Sequence, residues 1–282
     1  MANSYLNIVT FLLTTLFYYM VLKPTLHFSV YKNKDEYANY MTSNYMYLAI
    51  YLLLVIIIQF IVNSSIIANT CGGNITENMG AAGVLTFLPW ILIFGVLIVI
   101  LTVYPGFKSA FSDVVGYYYV SNSANKVLTE LLVNQDIENK ITSDETLTPE
   151  KKAALESAAD AIIKIFGNAS ILINQIVPNN FEQYWSILTP LMKDKYKSEG
   201  PETDAIKNNL FELVVTRDNV GEAMWYIYTG LLLTSIVQLK ITTRGCASNS
   251  QTMEANYQKF LEQEQKTKEN NEKGSTTYTL AG

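Results

Sequence analysis

The chain has 282 residues and a net charge of −5, with 49% hydrophobic and only 16% charged residues, where soluble domains carry about 25% charged. A mean hydropathy of +0.15, with the apolar residues gathered into runs, excludes an ordinary water-soluble enzyme as the default. The acidic isoelectric point near 5.1 supplies no basic field for nucleic acid, and one His with two Cys excludes a tetrahedral zinc site and a disulfide-dense scaffold; no cofactor is implied.

A bilayer core of about 30 Å asks for roughly 17–25 apolar residues per helix. Tyr5–Leu22 is the first such run, interrupted only by Asn7, Thr10, Thr14 and Thr15. No Lys or Arg precedes Lys23, and no small-residue cleavage pattern follows. The run therefore reads as a retained anchor and not a signal peptide. A loop with Lys23, Lys32 and Lys34 leads to the second run, Tyr45–Val62, whose one strongly polar residue is Gln59. His27, in that loop, has no second His or Cys nearby and reads as an interfacial residue.

The loop Asn63–Gly83 carries no Lys or Arg. It holds Cys71 and the sequon Asn74-Ile75-Thr76. Asn74 is the candidate glycosylation site. The sequon at Asn63 lies too close to the membrane, and that at Asn168 falls on the cytosolic side in the topology derived below. Val84–Val103 is the third run, with no charge.

Tyr104–Gly221 is a 118-residue insert with 11 Lys/Arg and 16 Asp/Glu, long enough for a small helical domain. Its signals are helical throughout. Ser123 is a candidate cap for a helix bearing Val127, Leu128, Leu131 and Leu132. Thr148-Pro149-Glu150 opens Pro149–Phe166, with a cap, Pro at the first position and an acid near the positive helix end. Asn168–Val177 is a further apolar helix stopped by Pro178. Phe181–Lys195 is broken or kinked at Pro190, and Thr203–Val215 follows. The acidic surface suits solvation or a basic protein partner.

Ala223–Leu239 is a fourth, softer apolar run, with a buried core helix of the insert as the competing reading. Cys246 follows, then a helix Gln251–Gln265 with Met253, Tyr257, Phe260 and Leu261 on one face, suited to pack on the same protein or to lie on a membrane. Lys266–Gly282 reads as a flexible tail or extended arm.

The expected fold is all-α: a multi-pass membrane protein of four spans with a helical soluble insert. Residues 1–104 hold three transmembrane helices, 105–221 the cytosolic-side domain, 222–240 the fourth span, 241–265 the amphipathic helix and 266–282 the tail. Lys and Arg favour the cytosolic side. The first loop and the insert flanks together carry six (Lys23, Lys32, Lys34, Lys108, Lys207 and Arg217), against Lys240 and Arg244 opposite. Both termini then lie outside. Cys71 and Cys246 share the non-cytosolic side, where a disulfide between them is expected; two unpaired thiols are the alternative.

No phosphate-binding loop, nucleophile elbow or metalloprotease motif occurs. The four spans contain no ionisable residue, which disfavours a pump or coupled transporter. A small channel or transporter lined by Thr, Ser and Gln remains the alternative function, although such residues more often bond helices together.

Three stretches stand out in order: Tyr104-Pro105-Gly106-Phe107-Lys108-Ser109-Ala110-Phe111-Ser112-Asp113 with Gly116-Tyr117; Gly221-Glu222-Ala223-Met224-Trp225-Tyr226 with Thr229-Gly230 and Thr234-Ser235; and Gly245-Cys246 with Met253-Glu254. Together they resemble the membrane-spanning virion proteins of nucleocytoplasmic large DNA viruses, with Phe107 in place of a Trp and Ser109-Ala110 in place of a Ser-Pro pair. The resemblance covers roughly 60 of 282 residues. It implies a structural minor capsid or inner-membrane protein, with no catalytic residue. The implied location is the internal membrane of the virion and, during assembly, a host membrane derived from the endoplasmic reticulum. The implied partners are the lipid bilayer and other capsid proteins. On physical grounds Pro105-Gly106 breaks the third helix as it leaves the bilayer. Tyr104, Phe107, Phe111, Tyr117–Tyr119, Trp225 and Tyr226 would then form a membrane-interface element.

Overall fold

A computed structural model describes residues 5–71, 75–132, 169–243 and 250–273. Helix α1 (Leu6–Leu22) closes in a π turn at Tyr18–Leu22. A short α2 (Phe28–Lys32) precedes the long α3 (Lys34–Cys71). Helix α4 covers residues 75–103, with a π turn at Trp90–Gly95. That turn directly follows Pro89, which has no N–H to give to the ladder. Helix α5 covers residues 109–131 and carries another π turn at Ser112–Gly116.

Beyond the undescribed segment come 3₁₀ turns at Ala169–Gln175 and Pro178–Asn180. Helices α6 (Phe181–Leu188), α7 (Asp194–Lys197), α8 (Pro201–Thr243) and α9 (Ser250–Lys273) follow. The described residues form no strand, and their one β-bridge joins Leu132 to Met192.

Among the described residues three helices are long and apolar enough to cross a membrane: Lys34–Cys71, Asn78–Val103 and Pro201–Thr243. Only 33%, 28% and 39% of their most apolar windows are buried, the inverse of a soluble core helix. Leu53, Ile57, Ile61, Leu88, Leu92, Val99 and Ile236 all face outward. Helix α1 is also apolar but shorter. At 1.5 Å per residue it reaches about 26 Å, the lower limit for a span. Of the four predicted spans it is thus the first, and not the softer fourth, that falls short of the others.

Several predicted boundaries move. Thr203–Val215 and Ala223–Leu239 are parts of one 43-residue helix, α8, so the boundary expected near residue 221 is no break in the chain's path. Ser123 lies inside α5 and caps nothing, because the aromatic run before it is already helical. The predicted loop Asn63–Gly83 is mostly helix, divided between α3 and α4. Of the predicted helix Asn168–Val177, the described residues form a 3₁₀ segment, Ala169–Gln175, in place of an α-helix. The break at Pro190 is present as a 3₁₀ turn, Thr189–Leu191. Helix α9 runs to Lys273, past the predicted start of the tail, and its Tyr257 and Phe260 are exposed. The predicted helix Pro149–Phe166 lies outside the described residues.

Three hydrophobic clusters lie along α8, a head core, a bundle core and a smaller far-end cluster. The head core joins Val120, Leu128 and Leu131 of α5 to Phe181, Leu188, Leu210, Phe211 and Val214, and it recruits Leu26 and Phe28 from the first loop. The bundle core is aromatic. Phe11 meets Trp90 at 5.4 Å and Phe94 at 5.9 Å, Tyr18 stacks on Tyr51 at 4.5 Å, and Tyr226 closes the group. Phe11 fits because residue 230 is Gly, where a Cβ would fall on the ring.

At the end away from the head, one polar chain ties α1, α3, α4 and α8 together. Asn7 Nδ2 donates to Asn63 Oδ1 (2.9 Å) and Gln238 Oε1 (3.2 Å), and Asn63 Nδ2 donates to Thr86 Oγ1 (2.8 Å). Gln59 Nε2 donates to the Asn7 carbonyl at 3.1 Å. Asn63 is fully buried, which bars it as a glycan acceptor. Interhelical hydrogen bonds of this kind contribute about 0.6–1.7 kcal/mol. Asn63→Leu is therefore expected to lower stability by about 1 kcal/mol, read as a small drop in the thermal midpoint of the detergent-solubilised protein. An unchanged midpoint would show the network to be inert.

Candidate functional site

Among the described residues the most concentrated buried charge sits where the apolar stretches of α1, α4 and α8 end. Lys23 follows the π turn of α1 in extended conformation (φ −65°, ψ 122°). Tyr104 leaves the helical region (φ −121°, ψ 72°) before Pro105, and a 3₁₀ turn Pro105–Lys108 swings Lys108 back toward α8. Asp218 and Glu222 stand one turn apart on α8, on the same face.

Lys108 Nζ lies 2.7 Å from Glu222 Oε2 and 3.0 Å from Asp218 Oδ2. Lys23 Nζ pairs with Glu222 Oε1, which also accepts from the Tyr19 hydroxyl at 3.1 Å. The side chains of Lys23, Lys108 and Glu222 are only 7%, 13% and 10% exposed. The Lys23 ammonium also sits over the Tyr19 ring at 5.0 Å.

The two lysines respond in opposite ways. Burial opposes the charge of both. At Lys108 the carboxylates of Glu222 and Asp218 more than offset it, and the ammonium is held above the ordinary lysine range. At Lys23 burial wins over the attraction of Glu222, and the neighbouring Lys108 charge adds to it, so this ammonium is pushed down.

Around this cluster the two sequence motifs meet. Trp225 Nε1 donates to the Phe107 carbonyl at 2.9 Å, and Phe111 sits edge-on to the Trp225 ring at 5.0 Å. A Cβ on Gly221 would stand 2.6 Å from Ser112 Cβ and 2.8 Å from its backbone N. One on Gly116 would stand 2.5 Å from the Arg217 carbonyl oxygen. Reciprocal glycines thus let α5 and α8 cross with their backbones nearly touching.

Of the predicted interface residues, Tyr104, Pro105, Gly106, Phe107 and Trp225 share one open surface depression. Tyr226 points away from it into the bundle core, 5.7 Å from Tyr51 and 5.6 Å from Phe94. Tyr118 and Tyr119 are exposed, while Tyr117 hydrogen-bonds Ser170 at 2.8 Å. His27 is exposed, 3.4 Å from Glu212. Cys71, at the far end of α3, is disulfide-bonded; Cys246 and Asn74 lie outside the described residues.

Sequence reasoning missed the pairing of Lys23, Lys108, Asp218 and Glu222. A signal existed: each residue borders an apolar run at its head-side end, two with one sign and two with the other. A cleft of about 230 Å³ opens beside the cluster, lined by residues of α3, α5 and α8 and by Asn174 and Asn179. Chemically the arrangement fixes elements to one another. Its two carboxylates are already matched by two ammonium groups.

No family model, curated protein or solved structure matches this chain.

Proposed function

We propose that this protein is a structural, non-enzymatic membrane anchor that crosses the bilayer four times and presents its helical head to a protein shell. In this reading it is a component of a large DNA virus particle, tying the internal membrane to the overlying capsid. The observation that carries the anchoring role is the Lys23–Glu222–Lys108–Asp218 junction, which fastens the head to the bundle through buried charge. The viral setting rests on the resemblance of Tyr104–Asp113 and Gly221–Tyr226 to virion membrane proteins.

The four-span count is supported by the path of the chain. The far-end cluster holds Ile66 and Ile67 of α3, Ala82 of α4 and Ile241 of α8, and Asn7 of α1 is bonded into the same end. The helices thus run up, down, up and down. A disulfide at Cys71 suits an oxidising compartment, which supports a cytosolic head. A channel is less well supported, because Asn7, Gln59, Asn63, Thr86 and Gln238 are tied to one another across helices.

The test pairs topology with location. Single cysteines at Ser123, Met79 and Thr243 in a cysteine-free background are labelled in intact and permeabilised membranes. Ser123 is expected to label from the cytosolic side, and Met79 and Thr243 only from the other. In infected cells the protein is expected in purified particles at a fixed ratio to capsid protein, cross-linked to it through the head. Labelling of Ser123 and Thr243 from one side refutes four spans. Absence from purified particles refutes the capsid role.

A further inference from the structure

The cleft beside the junction has properties that latching does not require. Among the described residues seven buried side-chain N or O atoms lack a hydrogen-bond partner, and three of them belong to residues lining this cleft: Arg217 Nε, Asp113 Oδ1 and Asn44 Oδ1. Such an orphan costs about 1–3 kcal/mol when left dry. Arg217 is 1% exposed. Its Nη1 donates to the Ile173 carbonyl and stands 3.8 Å from Asp113 Oδ1, too far for a hydrogen bond. One donor and two acceptors are therefore left over on residues that line one cleft.

The cleft is also graded. Leu48 and Leu101 line it on the bundle side, and Asn174 and Asn179 on the head side. Its volume of about 230 Å³ is far above the roughly 10–15 Å³ that one water needs.

We propose that this cleft binds the headgroup of a zwitterionic phospholipid carrying a primary ammonium, a phosphoethanolamine, with its acyl chains leaving past Leu48 and Leu101. Arg217 Nε–H donates to a phosphate oxygen. Asp113 Oδ1 and Asn44 Oδ1 accept from the ammonium. The ligand's lack of net charge follows from the wall, where Lys23, Lys108 and Arg217 balance Asp113, Asp218 and Glu222. An anionic headgroup would bring its phosphate to lysines already paired. A choline headgroup has no N–H for Asp113 and Asn44. The inference rests on the reading that the helices lie in a bilayer, which places the cleft at headgroup depth.

The test uses the full chain in mild detergent, with native mass spectrometry after adding phosphatidylethanolamine, phosphatidylcholine or phosphatidylglycerol of identical acyl chains. Phosphatidylethanolamine is expected to be retained about tenfold better than either competitor, the ratio that charge-assisted hydrogen bonds supply. Asp113→Asn is expected to reduce that preference to less than about threefold, with helicity retained. Asn44→Leu is expected to do the same from another helix. Equal retention of the three lipids overturns the proposal, as does a preference that survives both substitutions. Binding of free phosphoethanolamine as tight as that of the lipid would reassign the cleft to a soluble ligand. A chain stripped from membranes by alkaline carbonate instead refutes the bilayer reading, so the two failures are separate.

Discussion

The Glu222→Gln protein is expected to unfold with about 3–5 kcal/mol less free energy than the wild type, the usual cost of breaking a buried ion pair from one side. Glu222 is the carboxylate that Lys23 and Lys108 share. Glutamine keeps the shape and removes the charge, leaving Lys23 with no carboxylate and Lys108 with Asp218 alone. The loss should be partly repaired by Lys23→Met in the same chain, because the uncompensated ammonium then disappears. Denaturant unfolding in mild detergent, set out as a double-mutant cycle, reads both effects. A loss below about 1 kcal/mol would put the pair in the class of surface salt bridges and remove the junction as the fastening. The pH dependence follows from Lys108. Its folded-state value lies above that of the unfolded chain. Its contribution is therefore fully present below the ordinary lysine range and is lost only as pH rises through the raised value.

Gly221→Ala is expected to cost about 1–3 kcal/mol, the range for overpacking a close contact. The sign is informative. In a helix interior with free space, the same change would stabilise by about 1 kcal/mol. Here the new methyl meets the Ser112 backbone, which has no rotamer to retreat into. Gly116→Ala meets the Arg217 carbonyl in the same crossing and should behave alike. Gly80, with open space around its Cβ position, is the control: Gly80→Ala should stabilise. Thermal midpoints of the three variants decide the matter. If Gly221→Ala raises the midpoint as Gly80→Ala does, the backbones of α5 and α8 are not in contact as described.

The long apolar helices were readable because an uncharged run twenty residues long has few other fates, and Val84–Val103 is such a run. The break after Val103 was readable because Pro105 and Gly106 adjoin. The continuity of α8 was not. Composition changes abruptly between Asp218 and Ala223, and Gly221 suggests a stop; packing on Ser112 supplies the reason for glycine without any turn. The junction was hidden for a different reason. Its partners Lys23 and Glu222 are 199 positions apart, and no local pattern carries a pairing over that distance. The first loop was likewise read as a connection, although Phe28 is seated between Phe181 and Phe211 of the head. Leu26, Phe28, Val30 and Tyr31 form too short an apolar stretch to stand out from a connecting loop.

Helix α8 has a mechanical consequence. Its 43 residues form a rod about 65 Å long, half of it wedged in the bundle and half forming a wall of the head. A rod has no joint at which one half can turn without the other, and the charged collar at Asp218 and Glu222 clamps it near its middle. A change of inclination imposed on the bundle by a thinner or curved bilayer is therefore delivered to the head as a lateral swing of its outer surface. In the proposed anchoring role, whatever rests on that surface would be held at an angle set by the shape of the membrane beneath it.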